Sequence, residues 1–232
     1  MGIIEKRQVS IVEKLFVKSG EIIAVRSWKG GNLYEIDVHL PDVDFKKWDT
    51  AQSIKCRISA LHYTSYTPAM WSDEEKICTL YIDTSHEGKG SIWAKNQRPG
   101  NPFYYTKIEA EKHFPIQGKH LVFIGDQTSI GHFCAIQQLA DKYAKVSGFI
   151  AFNDKQTADY FAQSCVWLPL QTVVNQNDLL FKTKEWLKKN EYLKDNFVFY
   201  VIGNAKLIVS IRQQLKNYDI NGSQIKSKGF WQ

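Results

Sequence analysis

The spacing of apolar residues changes character about halfway along the chain, and that change constrains the fold more than any other feature. In the first half, alternating runs at 21–28 and 33–40 flank the turn-forming segment Lys-Gly-Gly-Asn at 29–32, a pattern typical of a β-hairpin. Further β-like runs cover 8–17, 53–61 and 76–83. Short strands at such close spacing predict a small antiparallel Greek-key barrel.

In the second half, continuous apolar runs alternate with segments of helical periodicity. The sequence predicts strands over 120–124, 145–152, 165–168 and 196–203, and helices over 130–143, 157–163, 179–189 and 205–215. This alternation indicates βαβ units around a parallel sheet that is covered on both faces. We place the boundary near 115–118, which gives a barrel domain over 1–116 and an α/β domain over 117–232.

Composition excludes several classes of protein. The net charge is +6, but the basic residues are spread along the chain and form no aromatic-interleaved patch, so we expect no nucleic-acid binding. No apolar run is long enough to span a membrane. The six histidines include no i, i+4 pair and the four cysteines no C-x-x-C, so we expect no protein-bound metal and buried thiols in a reducing compartment. We expect a cytoplasmic monomer.

The segment 62–69, His-Tyr-Thr-Ser-Tyr-Thr-Pro-Ala, is the first that suggests a ligand. Tyr66 offers an aromatic face for stacking, and the hydroxyl of Thr67 donates or accepts a hydrogen bond. The alternative is a strand end rich in Tyr and Thr that precedes a Pro turn and binds no ligand. A planar heterocycle at this strand end is the functional interpretation.

The segment 86–94, His-Glu-Gly-Lys-Gly-Ser-Ile-Trp-Ala, has the features of an anion site. Gly88 and Gly90 allow close approach of the backbone, and Ser91 is placed to cap a helix that begins there. The free amides at a helix N-terminus bind anions. The alternative is a plain Gly-rich turn that leads into a helix.

Two further segments lie where predicted strands of the α/β domain end, and a third closes the chain. They are Gly-Asp-Gln-Thr-Ser-Ile at 125–130, Val-Ile-Gly-Asn-Ala at 201–205 and Lys-Ser-Lys-Gly-Phe-Trp-Gln at 226–232. Strand–loop–helix junctions with Thr, Ser or Asn are positions where nucleotides bind. Ordinary helix caps and a free C-terminal tail are the alternatives.

In order and spacing, these segments resemble the siderophore-interacting protein family, the ferric-siderophore reductases of the ferredoxin–NADP reductase superfamily. The family carries Arg-x-Tyr-Thr-Pro, Gly-Pro-Ala-Ser-Arg-Trp-Ala, Gly-Asp-Glu-Thr, Gly-Glu-Ala and Gly-Tyr-Trp-Arg at the corresponding places. Three positions depart from these patterns: Thr64 replaces the family's Arg, while Gln127 and Asn204 replace acidic residues. The resemblance implies a flavin between a barrel and a nucleotide-binding domain.

The resemblance also assigns roles to individual residues. Tyr66 is expected to pack on the isoalloxazine and Thr67 to bond near its N5, and we treat these two as catalytic. Lys89 is expected to supply the charge missing at Thr64. The implied cofactor-binding residues are Thr64, Ser65, Tyr66, Thr67, Gly88, Lys89, Gly90 and Ser91 for the flavin, and Asp126, Thr128, Ser129, Gly203, Asn204 and Trp231 on the nicotinamide side.

The resulting expectation is a flavin-dependent NAD(P)H oxidoreductase that reduces a ferric siderophore or another small-molecule electron acceptor. FAD is the expected flavin, with FMN open because of Thr64. The segment Asn-Asp-Lys at 153–155 holds both an acid and a cation, which leaves NADPH and NADH open. A general NAD(P)H:flavin reductase and a non-catalytic flavin- or siderophore-binding protein are the alternatives.

Overall fold

The computed structural model describes residues 17–231, without the side chains of Tyr192, Leu193 and Trp231. The strand predicted over 8–17 lies, except for its last residue, outside the described residues. Two sheets organise the rest of the chain, one of seven strands and one of five.

The seven-stranded sheet is antiparallel and barrel-like. Its strands are β1 (Lys18–Ser27), β2 (Leu33–His39), β3 (Gln52–Ser59), β4 (His62–Tyr66), β5 (Pro68–Ser72), β6 (Ile77–Asp83) and β7 (Pro102–Ala110), in the order β4-β3-β7-β1-β2-β6-β5. Only Thr67 separates β4 from β5, the two outermost strands, so the chain itself joins the sheet's edges. A short helix, α1 (Lys89–Lys95), lies between β6 and β7.

Alternation along the strands explains the barrel core. Ile36 and Val38 of β2 pair with Leu80 and Cys78 of β6, and all four side chains are fully buried. Because successive side chains of a strand point to opposite faces, the intervening polar residues face outward. The predicted hairpin over β1 and β2 and the predicted antiparallel barrel are confirmed.

The five-stranded sheet is parallel, as the sequence predicts. It consists of β8 (His120–Asp126), β9 (Val146–Ala151), β10 (Gln171–Val173), β11 (Phe197–Asn204) and β12 (Ile225–Trp231), in the order β10-β9-β8-β11-β12. The helices are α2 (Ile130–Leu139), α3 (Lys155–Ser164), α4 (Gln176–Lys189) and α5 (Ala205–Asn217). The strand order reverses direction between β8 and β11, and open α/β sheets bind ligands at such a point.

Two predicted elements of this domain differ from the structure. The segment 165–168 is a turn and not a strand, because the amide of Cys165 bonds to the carbonyl of Phe161 and that of Leu168 to Cys165; the strand begins at Gln171. The helix predicted over 130–143 ends at Leu139, since Ala140 is extended. The C-terminal segment forms β12 rather than a free tail.

The two sheets pack into one structure through α2 and α3. Helix α2 lies against β5 and β6, and the Trp28 ring at the end of the β1–β2 hairpin contacts Tyr160 and Phe161 of α3, at 5.0 and 6.3 Å between centroids. One apolar cluster therefore runs from the barrel into the α/β domain. No helix within residues 17–231 has the length and apolar character needed to cross a bilayer.

Candidate functional site

A cavity of about 370 Å³ opens between the barrel and α2. We call it the interdomain cavity. Its lining residues include Thr64, Ser65, Tyr66, Thr67, Gly88, Lys89, Gly90, Ser91 and Thr128 from the sequence-predicted set, together with Tyr81, His86, His132 and Phe230. The structure thus brings both predicted barrel segments together with the first turn after β8.

Tyr66 ends β4 and fixes the position of α1. Its ring lies nearly parallel to that of Trp93, with centroids 6.4 Å apart, and its hydroxyl lies over Gly90. A Cβ at Gly90 would collide with that hydroxyl oxygen, so the close approach requires glycine. Burial raises the pKa of the Tyr66 phenol, which therefore stays neutral.

The start of α1 carries the positive charge of the cavity. Lys89 Nζ hydrogen-bonds to His62 Nε2, across from β4, and both residues line the cavity. The Gly88 amide donates to His86 Nδ1 at 3.0 Å. A cationic side chain beside free helix amides suits an anionic group, and Lys89 and Thr64 line the same cavity.

Ser91 does not cap α1, contrary to the sequence prediction. Gly88 is the N-cap residue, and Ser91 lies inside the helix with a buried side chain. Its hydroxyl donates to the carbonyl of Asp83 at 3.1 Å, which fastens α1 to the end of β6. The hydroxyl is thus engaged by the protein itself, while the residue still lines the cavity.

Three side chains form a hydrogen-bonded row that begins at the cavity wall and leads away from it. Thr67 Oγ1 lies 3.3 Å from His132 Nδ1, and His132 Nε2 lies 2.8 Å from His113 Nδ1. His132 is fully buried and His113 nearly so. Desolvation by burial lowers the pKa of both imidazoles, so both rings are neutral near pH 7.

A second cavity of about 260 Å³ lies where β8, β9 and β10 end; we call it the strand-end cavity. Its lining is Asp83, Asp126, Gln127, Thr128, Ala151, Phe152, Asn153, Val174, Asn175 and Gln176. Asp83 and Thr128 also line the interdomain cavity. The two cavities are therefore neighbours, and the second lies at the carboxyl edge where α/β sheets bind nucleotides.

Asp126 ties together the ends of the two central strands. Its carboxylate accepts hydrogen bonds from the amide of Thr128 at 3.0 Å and from that of Asn204 at 2.7 Å. Burial raises the pKa of this carboxyl. Gly203 has φ +132°, and a Cβ there would lie 2.6 Å from Asp126 Oδ2, so Asp126 occupies the space beside this glycine.

Three predicted nucleotide residues line neither cavity: Ser129, Gly203 and Asn204. The Ser129 hydroxyl is fully buried and donates to the carbonyl of Asp126. The Asn204 side chain caps α5 by accepting from the amides of Lys206 and Leu207 at 3.0 and 3.1 Å. These two side chains serve the local structure here.

The hydrogen bonds of Gln127 give a structural reason for one departure from the family pattern, an amide where the family has an acidic residue. Its amide donates to Asp83 Oδ1 at 2.7 Å and accepts from the Asn153 backbone at 3.1 Å. A glutamate at this position would place a carboxylate against Asp83. The neutral amide instead links the barrel, through Asp83, to two loops of the α/β domain.

The loop at 153–155 does not place its charged residues in the strand-end cavity. The carboxylate of Asp154 caps α3 through the Thr157 amide at 2.8 Å and accepts from Asn32 at 2.9 Å. Lys155 lies in a separate groove beside Lys29. Only Asn153 of this loop lines the strand-end cavity.

Several lining residues escaped the sequence prediction. His132 looks like a core residue of an apolar helix, and only its nearness to the segment 125–130 marks it. Phe230 lines the interdomain cavity because β12 joins the sheet, whereas the side chain of its predicted neighbour Trp231 lies outside the described residues. Within 17–231, no three His, Cys, Asp or Glu side chains are arranged to hold a metal.

Comparison with known proteins finds a matching family model and solved structures with the same fold. Residues 118–232 match the model of the siderophore-interacting protein family. The siderophore-interacting protein of Acinetobacter baumannii superposes with a TM-score of 0.74 at 15% identity, covering 93% of this chain and 90% of that one. No curated protein matches the chain.

Solved structures of ferredoxin reductases share the same architecture. The ferredoxin reductase of carbazole 1,9a-dioxygenase, solved in its FAD apo form, gives a TM-score of 0.71 at 14% identity over 93% of this chain and 66% of that one. Ferredoxin–NADP⁺ reductase of Plasmodium falciparum gives 0.68 at 13% over 91% and 95%. The predicted resemblance and fold class are confirmed, and the fold is that of flavin-associated oxidoreductases.

Proposed function

We propose that this protein is a flavin-dependent NAD(P)H oxidoreductase that holds its flavin in the interdomain cavity and reduces ferric siderophores. One observation carries the proposal: the cavity gathers the segments 64–67 and 88–91, which are far apart in sequence, beside the first turn after β8. The match of residues 118–232 to the siderophore-interacting protein family supports the choice of acceptor.

The cavity suits the ring system of a flavin. Its volume of about 370 Å³ lies within the usual range of small-molecule sites. Tyr66, Tyr81 and Phe230 give aromatic walls, and Thr67 adds a residue with a hydroxyl to the lining. This mixture of aromatic surface and few polar groups fits a planar heterocycle with polar edges.

The charged parts of the ligand would lie at the start of α1. Lys89 and His62 form a cationic corner there, and the first amides of a helix lack intrahelical partners. Lys89 would thus take the place of the family arginine that Thr64 replaces. FAD is the expected flavin, and FMN would use the same corner.

Each cavity has its own part in the reaction. A bound flavin supplies the redox chemistry, taking two electrons from a nicotinamide nucleotide and passing them on singly. The strand-end cavity would hold the nucleotide next to it, with Thr128 at the junction of both. Asp83 and Asp126 are the only ionisable side chains among its lining, so amide and backbone groups would bind the nucleotide there.

A second candidate function is that of a general NAD(P)H:flavin reductase, in which the flavin is a substrate. Thr64 favours it, because a threonine cannot neutralise a phosphate as the family arginine does. Retention of flavin separates the two functions. A tightly bound flavin supports the main proposal, whereas release after every turnover supports the second.

The test is a visible spectrum of the purified protein, followed anaerobically by NADPH or NADH and then by a ferric siderophore. The proposal predicts a yellow protein that bleaches and regains its colour. A colourless protein that turns over added flavin indicates the flavin reductase. A protein that binds flavin or siderophore without turnover indicates the non-catalytic alternative and overturns the proposal.

The role of Lys89 can be tested against a neighbour on the same helix. Lys89→Ala should weaken flavin binding about tenfold, since one charge-assisted hydrogen bond is lost. Lys95→Ala is the matched control, because Lys95 is exposed in the last turn of α1. Flavin affinity is measured by fluorescence titration. Equal affinities for the two variants would show that Lys89 does not contribute to flavin binding.

A further inference from the structure

The row formed by Thr67, His132 and His113 has its inner end in the interdomain cavity, and the proposed function uses only its Thr67. Thr67 and His132 line that cavity. The distances of 3.3 and 2.8 Å make each neighbouring pair of side chains a hydrogen-bonded contact. The two imidazole planes stand nearly perpendicular, at 83°, so the nitrogen of one ring meets the edge of the other.

The proton count of this row permits two arrangements. A neutral imidazole carries one N–H, so a bond between His132 Nε2 and His113 Nδ1 holds one proton, owned by either ring. If His132 owns it, Nδ1 of His132 is bare and accepts from the Thr67 hydroxyl. If His113 owns it, His132 Nδ1–H donates to Thr67, whose own proton then points into the cavity.

The outer end of the row lies near the surface. His113 retains 9% exposure, whereas His132 has none. The charged groups facing His113 are Glu111, Lys226 and Lys228, and Lys228 also faces His132. Lys228 and Glu111 are themselves ion-paired and half-buried, which places a carboxylate where protons from solvent would enter.

The surroundings do not explain the row as ordinary packing. Every residue of α2 from Ile130 to Ile136 is buried, and apolar side chains would fill such a space without the desolvation of two imidazoles. The Tyr200 ring meets His113 edge-on, but its hydroxyl donates to the carbonyl of Phe114 at 2.6 Å. Tyr200 is therefore not a branch of the row.

We propose that Thr67, His132 and His113 conduct protons between the surface near Glu111 and the ligand in the interdomain cavity. An inward transfer starts with the proton of each ring on Nδ1: one proton joins His113 Nε2, and that ring releases its Nδ1 proton to His132 Nε2. His132 passes its Nδ1 proton to Thr67, which gives its hydroxyl proton to the ligand. Both rings then carry their proton on Nε2, and the reverse sequence removes a proton from the ligand and restores the starting arrangement. The destination rests on the proposed function, since a flavin gains and loses protons as it is reduced and reoxidised.

The first test needs no cofactor. With ¹⁵N-labelled histidine, the row predicts a ¹⁵N–¹⁵N coupling across the hydrogen bond between His113 and His132. His113→Asn should abolish it, while His120→Gln, which alters a histidine bonded to Ser147 at the start of the central strand β8, should leave it unchanged. Absence of the coupling in the unaltered protein overturns the proposal.

The second test uses the flavin-loaded protein. After photoreduction, an indicator dye reports proton uptake. In His113→Asn, the new amide keeps a hydrogen-bonding partner for His132 but cannot shift a proton between two ring nitrogens. Uptake should slow on the order of a hundredfold, with flavin affinity unchanged and with His120→Gln as the control. Unchanged uptake in His113→Asn overturns the proposal.

Two outcomes keep this proposal separate from the proposed function. If His113→Asn does not fold, Thr67→Val interrupts the inner end and should slow uptake, and Thr67→Ser should restore it; equal rates for both overturn the proposal. A protein that takes up no flavin overturns the proposed function by itself. In that case the ¹⁵N–¹⁵N coupling between His113 and His132 still tests whether the hydrogen-bonded row exists.

Discussion

Asp126 sets the geometry at the point where β8 and β11 end. Its carboxylate accepts from the Thr128 and Asn204 amides and fills the space beside Gly203. A glycine at a strand end next to a helix predicts close approach of a ligand, but here the close neighbour is a side chain of the same domain. The glycine thus serves a contact between two strands.

Replacing Gly203 by alanine should therefore be unusually damaging. The new Cβ meets the Asp126 carboxylate and the residue must keep φ near +132°, so we expect a loss of about 3 kcal/mol in the free energy of unfolding. Gly118→Ala is the control, because Gly118 also has positive φ but nothing within 4 Å, and it should lose about 1 kcal/mol. Urea denaturation measures both, and equal losses would contradict the role of Asp126.

Individual residues show how far the sequence could predict the site. The segments 64–67 and 88–91 converge on one cavity, as their resemblance to family motifs implies. Ser129 and Asn204 could not be judged in this way, because the same residue type caps a helix or contacts a ligand depending on which way its side chain points. That direction is set by neighbours distant in sequence, such as Asp126.

Among the secondary-structure elements, the elements with strong periodicity follow the predicted boundaries most closely. The strand predicted over 196–203 is Phe197–Asn204 and the helix predicted over 205–215 is Ala205–Asn217, since long apolar or amphipathic runs fix the element type locally. Strand β12 has little apolar character of its own, and its strand conformation depends on parallel pairing with β11. Such tertiary pairing is not visible in local periodicity.

Helix α2 carries a polar side chain in a fully buried stretch, which makes its stability sensitive to acid. Burial lowers the pKa of His132 well below its ordinary value near 6.5. The unfolded chain therefore binds a proton that the folded one excludes, so stability is complete above about pH 6.5 and falls as the pH drops. His113 behaves in the same direction.

His132→Asn should flatten this dependence between pH 7 and pH 5. Removing one excluded proton lowers the slope of unfolding free energy by up to about 1.4 kcal/mol per pH unit. His62→Asn is the control, because it removes an exposed ring. The measurement is urea unfolding at several pH values, and a His132→Asn slope equal to that of the unaltered protein would contradict a neutral buried imidazole.

For the whole molecule, the feature that matters most is how firmly the two sheets are joined. The shared apolar cluster is supplemented by polar links that cross between the domains. Gln138 bonds to both backbone groups of Trp71, and Asn32 bonds to Asp154. Both cavities open at this interface, so their shape depends on the relative position of the domains.

Gln127→Glu tests whether the link from Gln127 to Asp83 holds the domains together. Two carboxylates would then face each other at the 2.7 Å contact, and each raises the pKa of the other above its unfolded value, near 4.3 for glutamate. A carboxyl group whose pKa is higher in the folded than in the unfolded protein destabilises the fold at any pH where it is ionised. The variant should therefore be less stable by about 2 kcal/mol at pH 8, and this deficit should shrink as the pH falls toward about 4.5.

Adding Asp83→Asn should remove most of the deficit, and Gln213→Glu on the exposed face of α5 should show none. Thermal unfolding at pH 5 and pH 8 measures these differences, and a deficit that is the same at both pH values, or that persists with Asn at position 83, would show that charge repulsion across the interface is not its cause.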